Sequence, residues 1–317
     1  MITTDPRIAV EVLARGDLCA IPTETVYGLG AVATHEAAIK AVYEAKGRPA
    51  NHPLIVHVSS INEVSNWITS LPEWAHSLAQ QCWPGPLTLV GQRTNRALDS
   101  VTGSQDTVAV RIPQHPLTLA VLAELHHMGI GGVVAPSANR FGHVSPTTAA
   151  HVHNDLGAYL DSHNGAILDG GACTLGVEST IVLATQERPV ILRPGGITRK
   201  MISEFTGLEV AESKTAPRVS GSLASHYAPE AKVVLVGESQ LPQFPSSQTG
   251  VIAFSEVATP EGMSRLSSPK NIEELAAQLY ASLRKADELG LATVLVVEPT
   301  DEGLAEAVRD RLQRAAH

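Results

Sequence analysis

Residues 46–58, KGRPANHPLIVHV, leave the chain few local choices. Upstream, apolar residues recur at helical spacing through Ala38, Ala41, Val42 and Ala45, and Gly47 supplies the left-handed stop that such a helix prefers. Lys46 and Arg48 are thereby placed at a helix exit. Pro49 and Pro53 hold the next stretch extended, and residues 54–58 alternate as a strand with His57 opposite the Leu54, Val56 and Val58 face. Cations at a helix C-terminus complement its dipole in any protein. The pair is therefore either a cap or the start of a site, and the rest of the chain decides which.

The same punctuation recurs. Asp5 and Pro6 read as cap and first residue of a helix with a stripe of Ile8, Val12 and Leu13. A strand over 18–21 runs into PTETVYGLGA, read as a loop in which Thr23, Thr25 and Tyr27 either fasten a turn or face a ligand. Gly28-x-Gly30-x-x-Ala33 imitates a dinucleotide fingerprint, but its first glycine does not directly follow the strand. Short helices are expected near 62–67 and 72–82, then a proline-bracketed strand in WPGPLTLV. In TVAVRI, alternation puts Val108, Val110 and Ile112 on one face and Thr107, Ala109 and Arg111 on the other. Thr107 and Arg111 then stand about 13 Å apart, at 3.3 Å per residue, either holding two ends of an extended ligand or forming a solvated face.

A strand over 131–135 enters PSANRFGHVSPTTAA, where Ser137 and Asn139 could bond phosphate or simply close a turn, and Ser145-Pro146 reads as a helix cap and an anion seat. Strands over 166–168, in GVESTIV around Ser179, and in VILRPG ending at Arg193 complete the first part. Residues 210–225 lose apolar periodicity and read as a linker. Beyond them, strands in KVVLV, VIAF and TVLVV alternate with helices over about 271–288 and 301–315, the pattern of a small parallel α/β domain.

Composition excludes several classes. With 317 residues and 44% hydrophobic content the chain can bury a core typical of two soluble domains, and no apolar run is long enough to span a bilayer. The net charge is −9, and both parts carry more acidic than basic residues when divided after residue 213, which argues against an extensive nucleic-acid surface. Cys19, Cys82 and Cys173 form no CxxC pair, and the 13 histidines include no HExxH motif, so neither a disulfide framework nor a structural metal is expected. The N-terminus lacks a signal-peptide pattern, and a cytoplasmic location is expected.

In order along the chain, PTETVYGLGA, YEAKGRPANHPL, WPGPLTLV, VAVRIP, PSANRFGHVSPT, GVESTIV, ILRPG and SHYAP resemble the threonylcarbamoyl-AMP synthase (YrdC-like) family in its long, two-domain form. The resemblance implies an α/β fold: a twisted open YrdC-like sheet with a concave cationic face over 1–209, a linker closing over the active site at 210–230, and a small Rossmann-like α/β domain over 231–317. It implies an L-threonylcarbamoyladenylate synthase that makes threonylcarbamoyl-AMP and pyrophosphate from L-threonine, bicarbonate and ATP. The product would pass to a separate tRNA threonylcarbamoyl transferase, which modifies adenosine beside the anticodon. By the same resemblance Arg48, His52, Thr107, Ser137, Asn139, Ser145, Arg193 and Tyr227 would contact ATP, with Lys46 and Arg48 as the catalytic phosphate cations, and Thr25, His57, Arg111 and Ser179 would hold threonine. Mg2+ would ride on the triphosphate without a protein ligand. The competing expectation is an RNA-binding module of the same fold without adenylate synthesis.

Overall fold

Two of the cap signals act as read. Asp5 accepts the Arg7 amide ahead of the Pro6–Ala14 helix, and Gly47, at φ 61°, closes the Glu36–Lys46 helix. These elements belong to a computed structural model that describes residues 1–212, 217–221 and 227–317. Its first part carries ten strands: β1 (Ile2–Thr3), β2 (Cys19–Ile21), β3 (Gly28–Val32), β4 (Ile55–His57), β5 (Leu87–Gln92), β6 (Thr107–Arg111), β7 (Val133–Val134), β8 (Ala166–Leu168), β9 (Thr180–Leu183) and β10 (Val190–Arg193). They form one mixed sheet in the order β1-β8-β2-β3-β7-β4-β6-β5-β9-β10.

The glycines of PTETVYGLGA are a correction. Residues 28–32 form β3, antiparallel to β2, rather than loop. The reason is close approach: a Cβ on Gly30 would lie 2.7 Å from the Cys19 carbonyl oxygen, and one on Gly28 would lie 2.8 Å from Ala135 Cβ. A second correction concerns Ser145. The helix beyond it is Ala149–Ser162, capped by Thr148, whose hydroxyl accepts the His151 amide. The preceding residues cannot begin that helix because the Pro146 carbonyl accepts the Tyr27 amide and the Ser145 hydroxyl is engaged by Glu178.

The alternation read in TVAVRI holds. Val108 and Val110 enter the main core with Leu29, Val56 and Trp67. The second part is a four-stranded parallel sheet in the order β11-β14-β12-β13, built from β11 (Lys232–Val236), β12 (Thr249–Ile252), β13 (Ser264–Ser267) and β14 (Thr293–Val297). Its Ile272–Glu288 helix packs Leu275, Leu279, Tyr280 and Leu283 against Val26, Val144, Val177 and Tyr227 of the first part and the linker. A Cβ on Gly176, at φ +76°, would meet the Ala276 carbonyl at 2.4 Å, so the two parts touch backbone to backbone there. Among the described residues no helix is long and apolar enough to cross a membrane.

Candidate active site

Strand register assembles the site. His57 of β4 pairs with Arg111 of β6, Arg111 with Thr88 of β5, and Leu87 with Thr180 of β9, while Arg193 of β10 pairs with Ile181. His57, Arg111, Thr88, Ile181 and Arg193 therefore form a row across five adjacent strands, and Ser179, just before β9, joins it through its 2.8 Å hydroxyl contact with Thr88. Residues far apart in sequence become neighbours because the ladders align them.

From this row His57, Arg111 and Arg193 join Thr25, Arg48, Ser137, Ser179 and Tyr227 on the wall of one cavity. All eight were singled out from the sequence, and Arg48, Arg111 and Arg193 are brought together rather than splayed over separate surfaces. Thr107 lines an adjoining groove with Ala109, Gln105 and Arg218, and Ile55 and Ser220 belong to both walls. His52 stands outside the cavity, edge-on to Phe141 at 5.4 Å, and the Arg48 guanidinium lies over the same ring.

Lys46 and Asn139 are also placed behind the wall. Lys46 is buried with Nζ 2.5 Å from the Ser137 carbonyl and 2.6 Å from that of Asn139, so it fastens the loop after β7 instead of facing the cavity. Desolvation, reinforced by Arg48, pushes its ammonium well below its ordinary pKa. The Asn139 amide donates to the carbonyls of Arg140 and His143, and its Oδ1 is buried without a hydrogen-bond partner.

The cations on the wall are held by different means. Arg111 donates through Nη2 to Glu24 at 2.8 Å, and its Nε is buried and unpartnered. Arg48 donates to the Pro53 carbonyl and to the Ser220 hydroxyl, its Nε likewise unpartnered, and burial lowers its pKa to about 10. Arg193 grips the Ser179 carbonyl through Nε and Nη2 and the Ser220 carbonyl through Nη1. Two buried guanidinium groups with an orphaned donor each are an arrangement that an oxyanion completes. His57 is also buried, and desolvation together with Arg111 lowers its imidazole to about 3, so it is neutral near pH 7.

Residues 11–195 match the Sua5/YciO/YrdC family model, described as "Telomere recombination", and residues 197–317 match the model of the threonylcarbamoyl-AMP synthase C-terminal domain. This chain belongs to the threonylcarbamoyl-AMP synthase family. Members named threonylcarbamoyl-AMP synthase from Pyrococcus abyssi and Bacillus subtilis are each 37% identical to it, the first over 98% of this chain and 93% of the relative, the second over 99% and 94%. The crystal structure of P. abyssi Sua5 complexed with L-threonine is 37% identical and superposes with a TM-score of 0.86 over 98% of this chain and 94% of that one. A double-alanine variant of P. abyssi Sua5 gives 35% and 0.88 over 100% and 95%.

Against this synthase-family site, the sequence reading missed four residues that the geometry brings forward. Glu24 anchors Arg111, Glu178 lies on the cavity wall, Ser220 bridges Arg48 and Arg193, and Arg311 reaches Glu178 from the second part. Arg311 carried a signal: a charge in the stripe Ala307, Val308, Leu312, Ala315 of the Leu304–Ala315 helix is out of place unless it is paired. Ser220 carried none, since nothing local says where a linker lies.

Proposed function

We propose that this chain is an L-threonylcarbamoyladenylate synthase, joining L-threonine, bicarbonate and ATP with release of pyrophosphate. The observation that carries the reading is the convergence of Arg48, Arg111 and Arg193 with Thr25, His57, Ser137 and Ser179 on one cavity. The relatives' names support this rather than the RNA-binding alternative.

The chemistry asks for positioning and fixed positive charge. The threonine amine attacks the bicarbonate carbon, a C–O bond breaks and water leaves to give the carbamate, and the carbamate oxygen then attacks the α-phosphorus as pyrophosphate leaves. Two anions must meet, and a protein nucleophile is not required. Arg111 takes the threonine carboxylate, with Thr25, neutral His57 and Ser179 around the rest of the amino acid. Arg48, Arg193 and Ser137 take phosphate oxygens, Tyr227 supports the nucleotide from the cavity wall, and Thr107, Asn139, Ser145 and His52 support it from the adjoining groove and from behind the wall. Lys46 contributes by fixing the Ser137 and Asn139 carbonyls. Each charge-assisted contact is worth about 1.5–3 kcal/mol.

Magnesium enters as part of the nucleotide substrate. Both oxygens of Glu178, the carboxylate on the wall, are already engaged, and no group of three or more metal-binding side chains occurs among the described residues.

The linker, proposed to span 210–230 between domains at 1–209 and 231–317, closes the site. Residues 217–221 support this: Ser220 bonds both Arg48 and Arg193, Gln105 and the Arg218 backbone bond reciprocally, and Val219 packs with Ile55 and Ile181. Residues 213–216 and 222–226 lie outside the described residues. A segment bonded to the phosphate-binding arginines must yield to ATP and can return to exclude water from a labile adenylate. The product goes on to a separate tRNA transferase. Three buried free thiols suit a reducing compartment, and the proposed location is the cytoplasm.

Pyrophosphate release measured with each substrate omitted in turn tests the assignment. It should require ATP, threonine and bicarbonate together. Release indifferent to threonine would overturn it.

A further inference from the structure

Glu178 is a buried carboxylate that receives hydrogen bonds from both sheets' domains. Ser145 donates to Oε1 at 2.7 Å, and from the second part Tyr280 and Arg311 Nε donate to Oε2 at 2.9 and 2.7 Å. Arg311 continues through Nη2 to the Pro194 carbonyl at 2.9 Å, and its side chain is 0% exposed. Both acceptors are chain neighbours of cavity residues, Glu178 preceding Ser179 and Pro194 following Arg193. The two segments also meet backbone to backbone, since a Cβ on Gly195 would lie 2.3 Å from the Thr180 amide nitrogen and 2.5 Å from the Glu178 carbonyl oxygen. Arg311 therefore clamps the junction from which Ser179 and Arg193 project.

The clamp reaches the linker as well. Tyr227 lies under Arg311, 5.4 Å from the guanidinium carbon to the ring centroid, and stacks on Tyr280 at 5.7 Å.

We propose that Arg311 is a positioning residue for adenylate synthesis, through which the second domain sets the placement of Ser179 and Arg193 on the cavity wall. The proposal rests on the reaction assigned above. Its physical basis is competition for a buried charge. Burial by itself pushes the Glu178 carboxyl up, but Arg311 and then Arg193 hold it down to about 2, so it is ionised at neutral pH. With Arg311 gone, Arg193 is the remaining cation acting on that carboxylate, and turning to it means releasing the Ser179 and Ser220 carbonyls. Two groups that the substrates need would move although neither had been altered.

Arg311→Met keeps the apolar stem and leaves the Glu178 carboxylate to Arg193. The double variant Arg311→Met with Glu178→Gln also removes the charge that draws Arg193 away, and it keeps the idea testable if the single variant folds poorly. Asp155→Asn serves as control, because it weakens a different contact between the domains, the 2.6 Å Arg284–Asp155 pair. Steady-state pyrophosphate release and calorimetric threonine binding are measured on all three below their unfolding temperatures. We expect threonine KM and Kd to rise by about tenfold in Arg311→Met, the loss of roughly one charge-assisted contact, and to return to within about twofold of wild type in the double variant, with the Asp155 variant unchanged. Wild-type-like threonine binding in the folded Arg311→Met variant, or an equal loss in either the double variant or the Asp155 variant, would overturn the proposal. An inactive wild-type chain would sink the assigned reaction, and the binding comparison would still judge Arg311.

Discussion

Arg111 and Glu24 form a buried ion pair at 2.8 Å, with both side chains less than a tenth exposed, and the second Glu24 oxygen accepts the Gln114 amide. The arginine is held on one side by a carboxylate that is itself fixed, which leaves its buried Nε for a ligand. A lysine offers a point charge and cannot serve Glu24 and a threonine carboxylate with the same geometry. Arg111→Lys should raise the threonine KM by about ten- to a hundredfold, at 1.4 kcal/mol per tenfold, and leave ATP affinity nearly unchanged. Initial rates over a threonine titration check this.

Lys46 fastens two carbonyls of the loop after β7. Lys46→Met keeps the apolar stem, takes the ammonium from the Asn139 carbonyl and leaves the Ser137 carbonyl with the Asn139 amide, at about 1–3 kcal/mol of stability. Urea unfolding should show a lower midpoint, and ATP kcat/KM should fall because Ser137 is on the wall that loosens. An unchanged midpoint would argue that water replaces the ammonium without penalty.

Gly221 sits at φ +78°, and a Cβ there would fall 2.3 Å from the Tyr227 hydroxyl oxygen. Gly221→Ala should keep the linker from settling over the cavity. Pyrophosphate release then outruns recovered adenylate, because water reaches the product; equal amounts of the two would show that closure here does not protect it.

Stability should fall on acidification in two stages. His57 has a folded pKa of about 3 against an ordinary 6.5, so the unfolded chain binds the extra proton as pH drops below 6.5 and the folded state loses ground, approaching about 1.4 kcal/mol per pH unit for this group. His151, lowered to about 4 by burial and by Arg284, acts in the same direction. Glu178, held at about 2 against 4.5, stabilises above 4.5, and its contribution is lost as pH falls from there toward 2. Thermal melts between pH 7 and 5 should drop for the wild type and drop less for His57→Asn.

Much of the site was legible because its residues stand where punctuation meets strand. The helix stop at Gly47, the alternation around Val56, and the arginines at the ends of TVAVR and VILR are local features, and local propensity decided them. Ser145-Pro146 shows the limit. Serine followed by proline satisfies a helix start on paper, yet a distant carboxylate engaged the serine and a distant amide engaged the proline carbonyl, so the helix began at Ala149. β13 was invisible for a related reason: SRLS has no strong alternation and takes its strand form from pairing with β12, supported by Arg265 bonding the Ala253 and Phe254 carbonyls.

By itself the order of residues determined which segments are strands and helices over most of the chain, and that a few arginines and hydroxyls would lie at their ends. Periodicity and capping act over a handful of neighbours, so they can be read without coordinates. Only the tertiary structure decided that Lys46 turns inward, that Glu24 braces Arg111, and that Arg311 reaches Glu178 from 133 positions away. A buried charge takes whichever partner the packing brings, and that choice is made across the whole fold.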